Sequence, residues 1–260
     1  YGCDALWLDV GNENCRITSN LFLDGIDSRE HVFIEASRDA ENLLDNNIIW
    51  NVEGRYNRSA VPAEPGSSGW YKNSEAGMVR NGYGIYLEGT DRVRMVGNLV
   101  GKCNYAGFFA KTVAFRIMQK RGGTTRENKF FNNLFYQCGE AAVILPTAHQ
   151  EMEGNAYARM PGGFLRVMYP EPEMCLDLPA WQEFCAFDLT GSLPDLEIEI
   201  HGEDLTMEVT VKGRLAEVLS DEKVCTDYFG DVCGKKRVPG PIDNLQDKKA
   251  RFSIDPRKPA

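Results

Sequence analysis

The sequence predicts an all-β chain in which residues 1–160 form a parallel β-helix, a solenoid of stacked coils, and residues 161–260 form a small β-rich appendage with a short helix and a C-terminal tail. A recurring asparagine pattern and a recurring strand-like run predict the solenoid. A change of pattern after Met160 predicts the appendage.

The asparagine pattern is a six-residue motif, apolar-x-x-Asn-apolar-apolar, in which only Ala156 is a weak apolar member. Its asparagines are separated by 27, 51, 35 and 22 residues and are Asn20, Asn47, Asn98, Asn133 and Asn155. A repeat near 25 residues, doubled once, is typical of short solenoid coils that carry some long loops. We therefore expect these asparagines to stack at one turn of successive coils and to hydrogen-bond to one another along the axis.

A strand-like run precedes each asparagine, at positions 6–9, 32–35, 85–88, 108–111 and 143–146. The distance from the end of the run to the asparagine is 11, 12, 10, 22 and 9 residues, so the register holds except for an insertion after Lys111. A second insertion, rich in Gly, Ser and Pro, lies between Asn47 and Glu88. The runs are too short, and too rich in β-branched and aromatic residues, for a helical solenoid.

The appendage is predicted from three segments that follow Met160. Residues 178–184 suit a short helix, whereas 196–200 and 205–211 alternate between apolar and polar residues, as half-exposed strands do. Beyond Val238 the chain is rich in Pro, Lys and Asp, and we expect it to wrap the surface or to fray.

Alternation along the strand-like runs predicts two outward columns, because successive side chains of a strand point to opposite faces. The first and third residues of each run are expected in the core. The second residues form an outward, mostly aromatic column of Trp7, Phe33, Tyr86, Phe109 and Ile144. The fourth residues form a neighbouring column of Asp9, Glu35, Glu88, Lys111 and Pro146.

Asp9 and Glu35 are the candidate catalytic pair. Neighbouring coils lie about 4.8 Å apart, and two like charges at that spacing destabilise a sheet. Such crowding pushes the pKa values of two carboxyl groups apart, which suits an acid working with a nucleophile. A separation of about 5 to 5.5 Å is also that of a retaining glycosidase. Alternatively these acids are solvated surface groups, with Glu88 and Lys111 in a weak salt bridge.

The segments 6–9, 20–22, 32–35 and 46–49 together resemble the catalytic stretch of right-handed parallel β-helix glycoside hydrolases similar to glycoside hydrolase family 120, the β-xylosidases. That resemblance implies that Asp9 is the nucleophile and Glu35 the acid/base. Weaker likenesses further along extend it over nearly the whole chain. The third coil, 82–88, departs from the xylosidase pattern, so xylosides, fucosides and other pentosides all remain candidate substrates.

The sequence therefore predicts a retaining glycosidase that acts on an oligosaccharide or polysaccharide without a metal or other cofactor. Asp9 would attack the anomeric carbon, and Glu35 would protonate the leaving oxygen and then activate water. The residues expected to bind substrate are Trp7, Phe33, Tyr86, Glu88, Lys111, Arg121 and Arg126.

Composition limits the other possible partners. A net charge of −9 disfavours nucleic acid and anionic membrane surfaces, and no run approaches the roughly 20 apolar residues of a spanning helix. The eight cysteines include no CxxC pair and only three histidines accompany them, which argues against a zinc site. We expect neither a nucleic acid nor a membrane partner.

Two other functions remain open at this point. A polysaccharide lyase would use Lys111 as a base, with Glu88 and often Ca²⁺ nearby, and a non-catalytic solenoid would only bind carbohydrate. We also expect upstream coils, because Tyr1 leads almost directly into the first strand-like run. The sequence leaves the compartment open, and we favour a secreted or periplasmic one.

Overall fold

The computed structural model describes residues 4–26, 30–37, 40–53, 82–103, 106–111, 125–144, 149–167, 174–245 and 248–257. Within these ranges the chain forms twenty-two β-strands and one α-helix. The predicted all-β class is therefore confirmed.

The first sixteen strands fall into three parallel sheets, each of which receives every third strand along the chain. Sheet 1 contains β1 (Leu6–Leu8), β4 (Glu30–Glu35), β7 (Tyr83–Glu88), β10 (Ala106–Lys111), β13 (Ala142–Ile144) and β16 (Leu165–Val167). Sheet 2 contains β2 (Arg16–Thr18), β5 (Asn42–Asp45), β8 (Val93–Val96), β11 (Lys129–Phe131) and β14 (Glu151–Glu153). Sheet 3 contains β3 (Leu21–Ile26), β6 (Ile48–Glu53), β9 (Leu99–Cys103), β12 (Leu134–Tyr136) and β15 (Ala156–Ala158). Three consecutive strands, one per sheet, make a coil, and neighbouring coils pair in register.

The predicted register of sheet 1 is confirmed for the first four runs and wrong for the fifth. Leu6 pairs with Val32, Val32 with Ile85, and Ile85 with Phe108. In the fifth run, however, Phe109 pairs with Val143, so Val143 and not Ile144 takes the register position of the second residue. A slip of one residue exchanges the two faces of a strand, and here it places the small Ala142, which is fully buried, on the core side.

The asparagine ladder is confirmed. The Oδ1 atom of each asparagine after Asn20 accepts hydrogen bonds from the backbone N–H and the side-chain Nδ2 of the asparagine one coil earlier. The Nδ2 to Oδ1 distances are 3.0, 2.9, 2.9 and 3.0 Å from Asn20 through Asn155. The second Nδ2 hydrogen of Asn98 goes to the carbonyl of Leu44 at 3.0 Å. The column thus satisfies buried amides that would otherwise destabilise the turn.

A carboxylate ends this ladder. Asp188 Oδ1 accepts from the backbone N–H and Nδ2 of Asn155 at 3.0 and 2.8 Å, and Oδ2 accepts from the hydroxyl of Tyr157 at 2.5 Å. Burial raises the pKa of Asp188 to about 6, against the opposing effect of these hydrogen bonds. Asp188 therefore occupies the place of a sixth asparagine.

Helix α1 (Leu178–Cys185) covers the end of the coils near β16, at the place where the sequence predicts a helix. Asp177 caps its N-terminus by accepting from the backbone N–H of Ala180 at 3.0 Å. Leu178 and Trp181 are buried against the apolar interior. Strand β17 (Met174–Leu176) adds to sheet 1 antiparallel to β16. None of the described residues belongs to a helix long and apolar enough to cross a membrane.

The appendage is a three-stranded antiparallel sheet of β18 (Leu196–His201), β19 (Thr206–Val211) and β22 (Lys249–Ser253), with a small pair of β20 (Val218–Leu219) and β21 (Lys236–Arg237). Both predicted strands are confirmed. The described part of the tail does not fray, because β22 pairs with β19 and Ile254 is fully buried. The appendage forms a second apolar core with the outer face of sheet 3.

Candidate functional site

Sheet 1 separates core-facing from outward side chains in the way that the alternation predicts. Val32 and Ile34 of β4, and Ile85 and Leu87 of β7, are completely buried in the apolar interior. The residues between and after them therefore project from the other face of the sheet. This outer face carries the predicted site.

An aromatic stack runs across this outer face from β1 to β7. The ring of Trp7 lies 5.9 Å from that of Phe33 at an interplanar angle of 15°, and Phe33 lies 4.9 Å from Tyr86 at 23°. Trp7, at the end of the stack, is 49% exposed. Phe33 lies in the outward column, as predicted, but it is buried between its neighbours and offers little exposed ring surface to a substrate.

A fourth ring, Tyr83, was not predicted to belong to the aromatic stack. It lies 5.4 Å from Tyr86 at 17°. Strict alternation from Ile85 would place Tyr83 on the core side, yet its ring stacks with that of Tyr86 at the start of β7. The signal that could have revealed it is Gly84 between the two tyrosines, since a glycine inside a strand often marks a local departure from regular pleating. The aromatic stack thus consists of Trp7, Phe33, Tyr86 and Tyr83.

Three carboxyl groups follow the aromatic residues on the same face. Leu8 pairs with Ile34, so Asp9, the next residue, comes level with Glu35, and Glu35 pairs directly with Glu88. Asp9 is exposed, and its Oδ1 accepts from the backbone N–H of Val10 at 2.7 Å. Glu35 and Glu88 are only 1% and 4% exposed. The alternative that these acids are solvated surface groups is therefore wrong for Glu35 and Glu88.

Tight turns immediately after the carboxyl groups hold them at the sheet edge. Ala36 follows Glu35 with φ of 47°, and Gly89 follows Glu88 with φ of 58°. A left-handed conformation costs an alanine more than a glycine. The turn at Ala36 is held in place because its backbone N–H donates to the carbonyl of Glu88 at 2.9 Å. Strain of this kind persists only where the surrounding contacts enforce it.

Two further titratable residues in β4 escaped the sequence analysis. Glu30 is 2% exposed and pairs in register with Tyr83, which places another buried carboxyl on the strand that carries Glu35. His31 is buried, its Nε2 lies 3.4 Å from the carbonyl of Trp50, and desolvation lowers its pKa. His31 therefore contacts sheet 3 from a position where burial favours the neutral imidazole. No repeating pattern marked either residue.

Of the three predicted basic residues, only Arg126 has a described side chain. Lys111 pairs in register with Glu88 through the backbone of β10, but its side chain lies outside the described part of the structure, as does all of Arg121. Arg126 donates from its backbone N–H and its Nε to Asp91 of the preceding coil, both at 3.2 Å. Arg126 is thus anchored at the turn that follows β7 and remains half exposed.

The described residues contain no group of three or more His, Cys, Asp or Glu side chains arranged to hold a metal ion. The arrangement on sheet 1 is therefore one of carboxyl groups beside aromatic rings. Such a surface can exchange protons, offer a carboxylate nucleophile and pack against the apolar face of a flat ring.

Comparison with known proteins gives one structural likeness. No family model matches the chain, and no curated protein matches its sequence. A solved structure, XylC in complex with xylose, superposes on it with a TM-score of 0.54 at 15% identity. The match covers 96% of this chain and 41% of the XylC chain, so this chain spans less than half the length of that protein. At this level of identity the likeness shows that the two chains share a fold.

Proposed function

We propose that this chain is part of a right-handed parallel β-helix glycoside hydrolase, which cleaves an oligosaccharide or polysaccharide with retention of anomeric configuration. The observation that carries the proposal is the alignment of Asp9, Glu35 and Glu88 on successive strands beside the aromatic stack. The fold shared with a protein whose structure contains xylose supports a sugar substrate. We favour xylosides, with fucosides and other pentosides as the next candidates.

The aromatic stack provides the binding surface in this proposal. A pyranose presents apolar C–H groups on its faces, and aromatic rings pack well against such groups. Trp7 is the most accessible of the rings that were predicted to bind sugar, so we assign it the main stacking contact.

Asp9 and Glu35 divide the chemistry according to their exposure. In the first step Asp9 attacks the anomeric carbon while Glu35 donates its proton to the glycosidic oxygen, and the bond to the leaving group breaks. In the second step Glu35 takes a proton from water, whose oxygen attacks the same carbon and releases Asp9. Glu35 is shielded from bulk solvent, as suits a group that must deliver its proton to the leaving oxygen rather than to water.

The remaining predicted residues recognise hydroxyl groups. Glu88 lies one strand beyond Glu35, and we assign it to accept hydrogen bonds from the sugar next to the cleaved bond. We assign Lys111, Arg121 and Arg126 to outer sugar units, where cationic donors bind hydroxyl or carboxylate oxygens.

A polysaccharide lyase is the second candidate, and the register of Lys111 beside Glu88 is the observation that favours it. A lyase would remove a proton next to a sugar carboxylate and leave an unsaturated product. That product absorbs ultraviolet light, whereas hydrolysis yields only new reducing ends.

A screen of nitrophenyl glycosides against the purified chain and its variants tests the proposal. Asp9→Gly should lower turnover on the order of a thousandfold or more, and added azide should restore cleavage by forming a glycosyl azide of inverted configuration. Glu35→Ala should spare the first step for substrates with good leaving groups, which need little protonation.

The matched control is Glu199→Gln, which removes an exposed carboxylate from the appendage and should leave turnover unchanged. The proposal is wrong if Asp9→Gly retains the wild-type rate on a substrate that the wild-type chain cleaves.

A further inference from the structure

Two cysteines face each other across a hairpin of the appendage. Thr226 and Val232 form an antiparallel bridge. The backbone N–H of Cys233 donates to the carbonyl of Cys225 at 2.8 Å, and that of Asp227 donates to the carbonyl of Asp231 at 2.9 Å. These two bonds flank the bridge, so Cys225 and Cys233 occupy the next directly opposed positions, those of a hydrogen-bonded pair.

This position suits a disulfide. The Cα atoms of a hydrogen-bonded antiparallel pair lie about 5.5 Å apart, and disulfides span Cα distances of roughly 4.4 to 6.8 Å. Directly opposed residues also project their side chains from the same face of the hairpin. Both cysteines are present as thiols. Cys225 is exposed and Cys233 partly buried, so an oxidant in solution can reach the first of them.

We propose that Cys225 and Cys233 are a redox-sensitive pair that forms an intramolecular disulfide on exposure to a small disulfide oxidant such as oxidised glutathione. The exposed Cys225 thiolate attacks one glutathione sulfur and releases one glutathione thiolate. The Cys233 thiolate then attacks the Cys225 sulfur and releases the second. The two cysteines together lose two protons and two electrons, and the two electrons reduce the glutathione disulfide.

The second step is the slow one. Burial raises the pKa of the Cys233 thiol to about 11, so little of it is thiolate near neutral pH. Closure of the disulfide should therefore accelerate as the pH rises, while the mixed disulfide at Cys225 forms first.

The hairpin between the two cysteines carries a contact to the coils and another to the C-terminal tail of the appendage itself. The carbonyl of Thr226 accepts from Nδ2 of Asn46 in the turn between sheets 2 and 3 at 2.8 Å. Tyr228 donates from its hydroxyl to the carbonyl of Ile254 at 2.7 Å. A disulfide that holds the hairpin closed also holds these contacts, so oxidation should tighten the attachment of the appendage.

Glutathione redox titration of the whole chain, followed by alkylation and trypsin digestion, tests the proposal. Both cysteines fall in the single tryptic peptide 224–235. On oxidation of the folded chain, this peptide should become lighter by two hydrogen atoms and should resist alkylation. The equilibrium constant for its oxidation should be roughly tenfold or more above that of the same peptide in the urea-unfolded chain. A constant equal to or below that of the unfolded chain contradicts the proposal.

Serine variants supply the controls. Oxidation should raise the Tm of the wild-type chain by roughly 5 °C, and Cys225→Ser with Cys233→Ser should abolish that rise. Cys175→Ser removes another exposed thiol and should leave the rise intact. The buried Cys103 and Cys138 should alkylate only after unfolding, and a disulfide found there instead would overturn the assignment.

Discussion

Two aromatic stacks on different faces of the coils have different surroundings. On sheet 1, Trp7, Phe33 and Tyr86 stack beside three carboxyl groups and end in a half-exposed tryptophan. On sheet 3, Trp50 and Tyr136 stack at 5.4 Å and 19°, but both are buried in the core shared with the appendage. Outward aromatic residues on a solenoid can therefore either bind a ligand or pack against another part of the chain.

Two buried carboxyl groups also differ in their surroundings. Glu35 of sheet 1 and Asp188 of the asparagine ladder are both almost completely buried. Asp188 accepts hydrogen bonds from Asn155 and Tyr157. Its burial is therefore explained by a structural role in the ladder. Burial of an acid is thus weak evidence of catalysis alone, and the argument for Glu35 depends on its alignment with Asp9 beside the aromatic stack.

The largest expected effect separates the two aromatic stacks. Trp50→Ala should lower the free energy of unfolding by about 3–5 kcal/mol, because it empties the centre of a packed core. Trp7→Ala should lower it by less than about 1 kcal/mol, since the ring is half exposed. Urea unfolding of both variants measures the difference, and equal losses would show that the ring of Trp7 is packed as firmly as that of Trp50.

Gly101 should show how closely the sheet 3 stack is fitted. It pairs with both Trp50 and Tyr136, and a Cβ at this position would lie 2.2 Å from the Trp50 ring. Gly101→Ala should therefore cost about 1–3 kcal/mol of stability. Gly162→Ala is the control, because a Cβ there meets nothing within 4 Å. Matching thermal midpoints for the two variants would show that the rings can move aside.

Asp188→Asn should stabilise the chain at neutral pH. The raised pKa means that the folded state holds the proton of the Asp188 carboxyl group more tightly than the unfolded state does. The free energy of unfolding therefore falls by up to about 3 kcal/mol as the pH rises from about 4 to about 6. An asparagine keeps the Oδ1 acceptor for Asn155 and tolerates the φ of 53° at this position. The variant should gain about 1–3 kcal/mol near pH 7.5 and lose that pH dependence. Urea unfolding at both ends of the range measures this, and a less stable variant would mean that the carboxylate is required.

Trp7→Ala should weaken substrate binding even though it hardly affects stability. Loss of one stacking ring should raise KM about tenfold on a substrate that the wild-type chain cleaves. Leu219→Ala, which truncates an exposed side chain of the appendage, is the control and should leave KM unchanged. A normal KM for Trp7→Ala would remove the aromatic stack from the proposed site.

The sequence was informative where a pattern repeats. Five asparagines at matching distances from strand-like runs predicted the ladder, the register of the first four runs and the neighbouring positions of Asp9 and Glu35. It failed where a feature occurs once. Tyr83 departs from alternation, the fifth run slips by one residue, and Asp188 ends the ladder with a different side chain. The covering of Phe33 depends on stacking between coils, which composition does not encode.

Proton NMR of the first sugar released, recorded before mutarotation, shows whether Asp9 acts as a nucleophile. Carboxyl groups on neighbouring strands, about 4.8 Å apart along the sheet, leave no room for a water molecule on the far side of the sugar. We expect a product with the anomeric configuration of the substrate. An inverted product would contradict Asp9 as nucleophile and would point to a more widely spaced pair, with Asp9 and Glu88, two strands apart, as the next candidates.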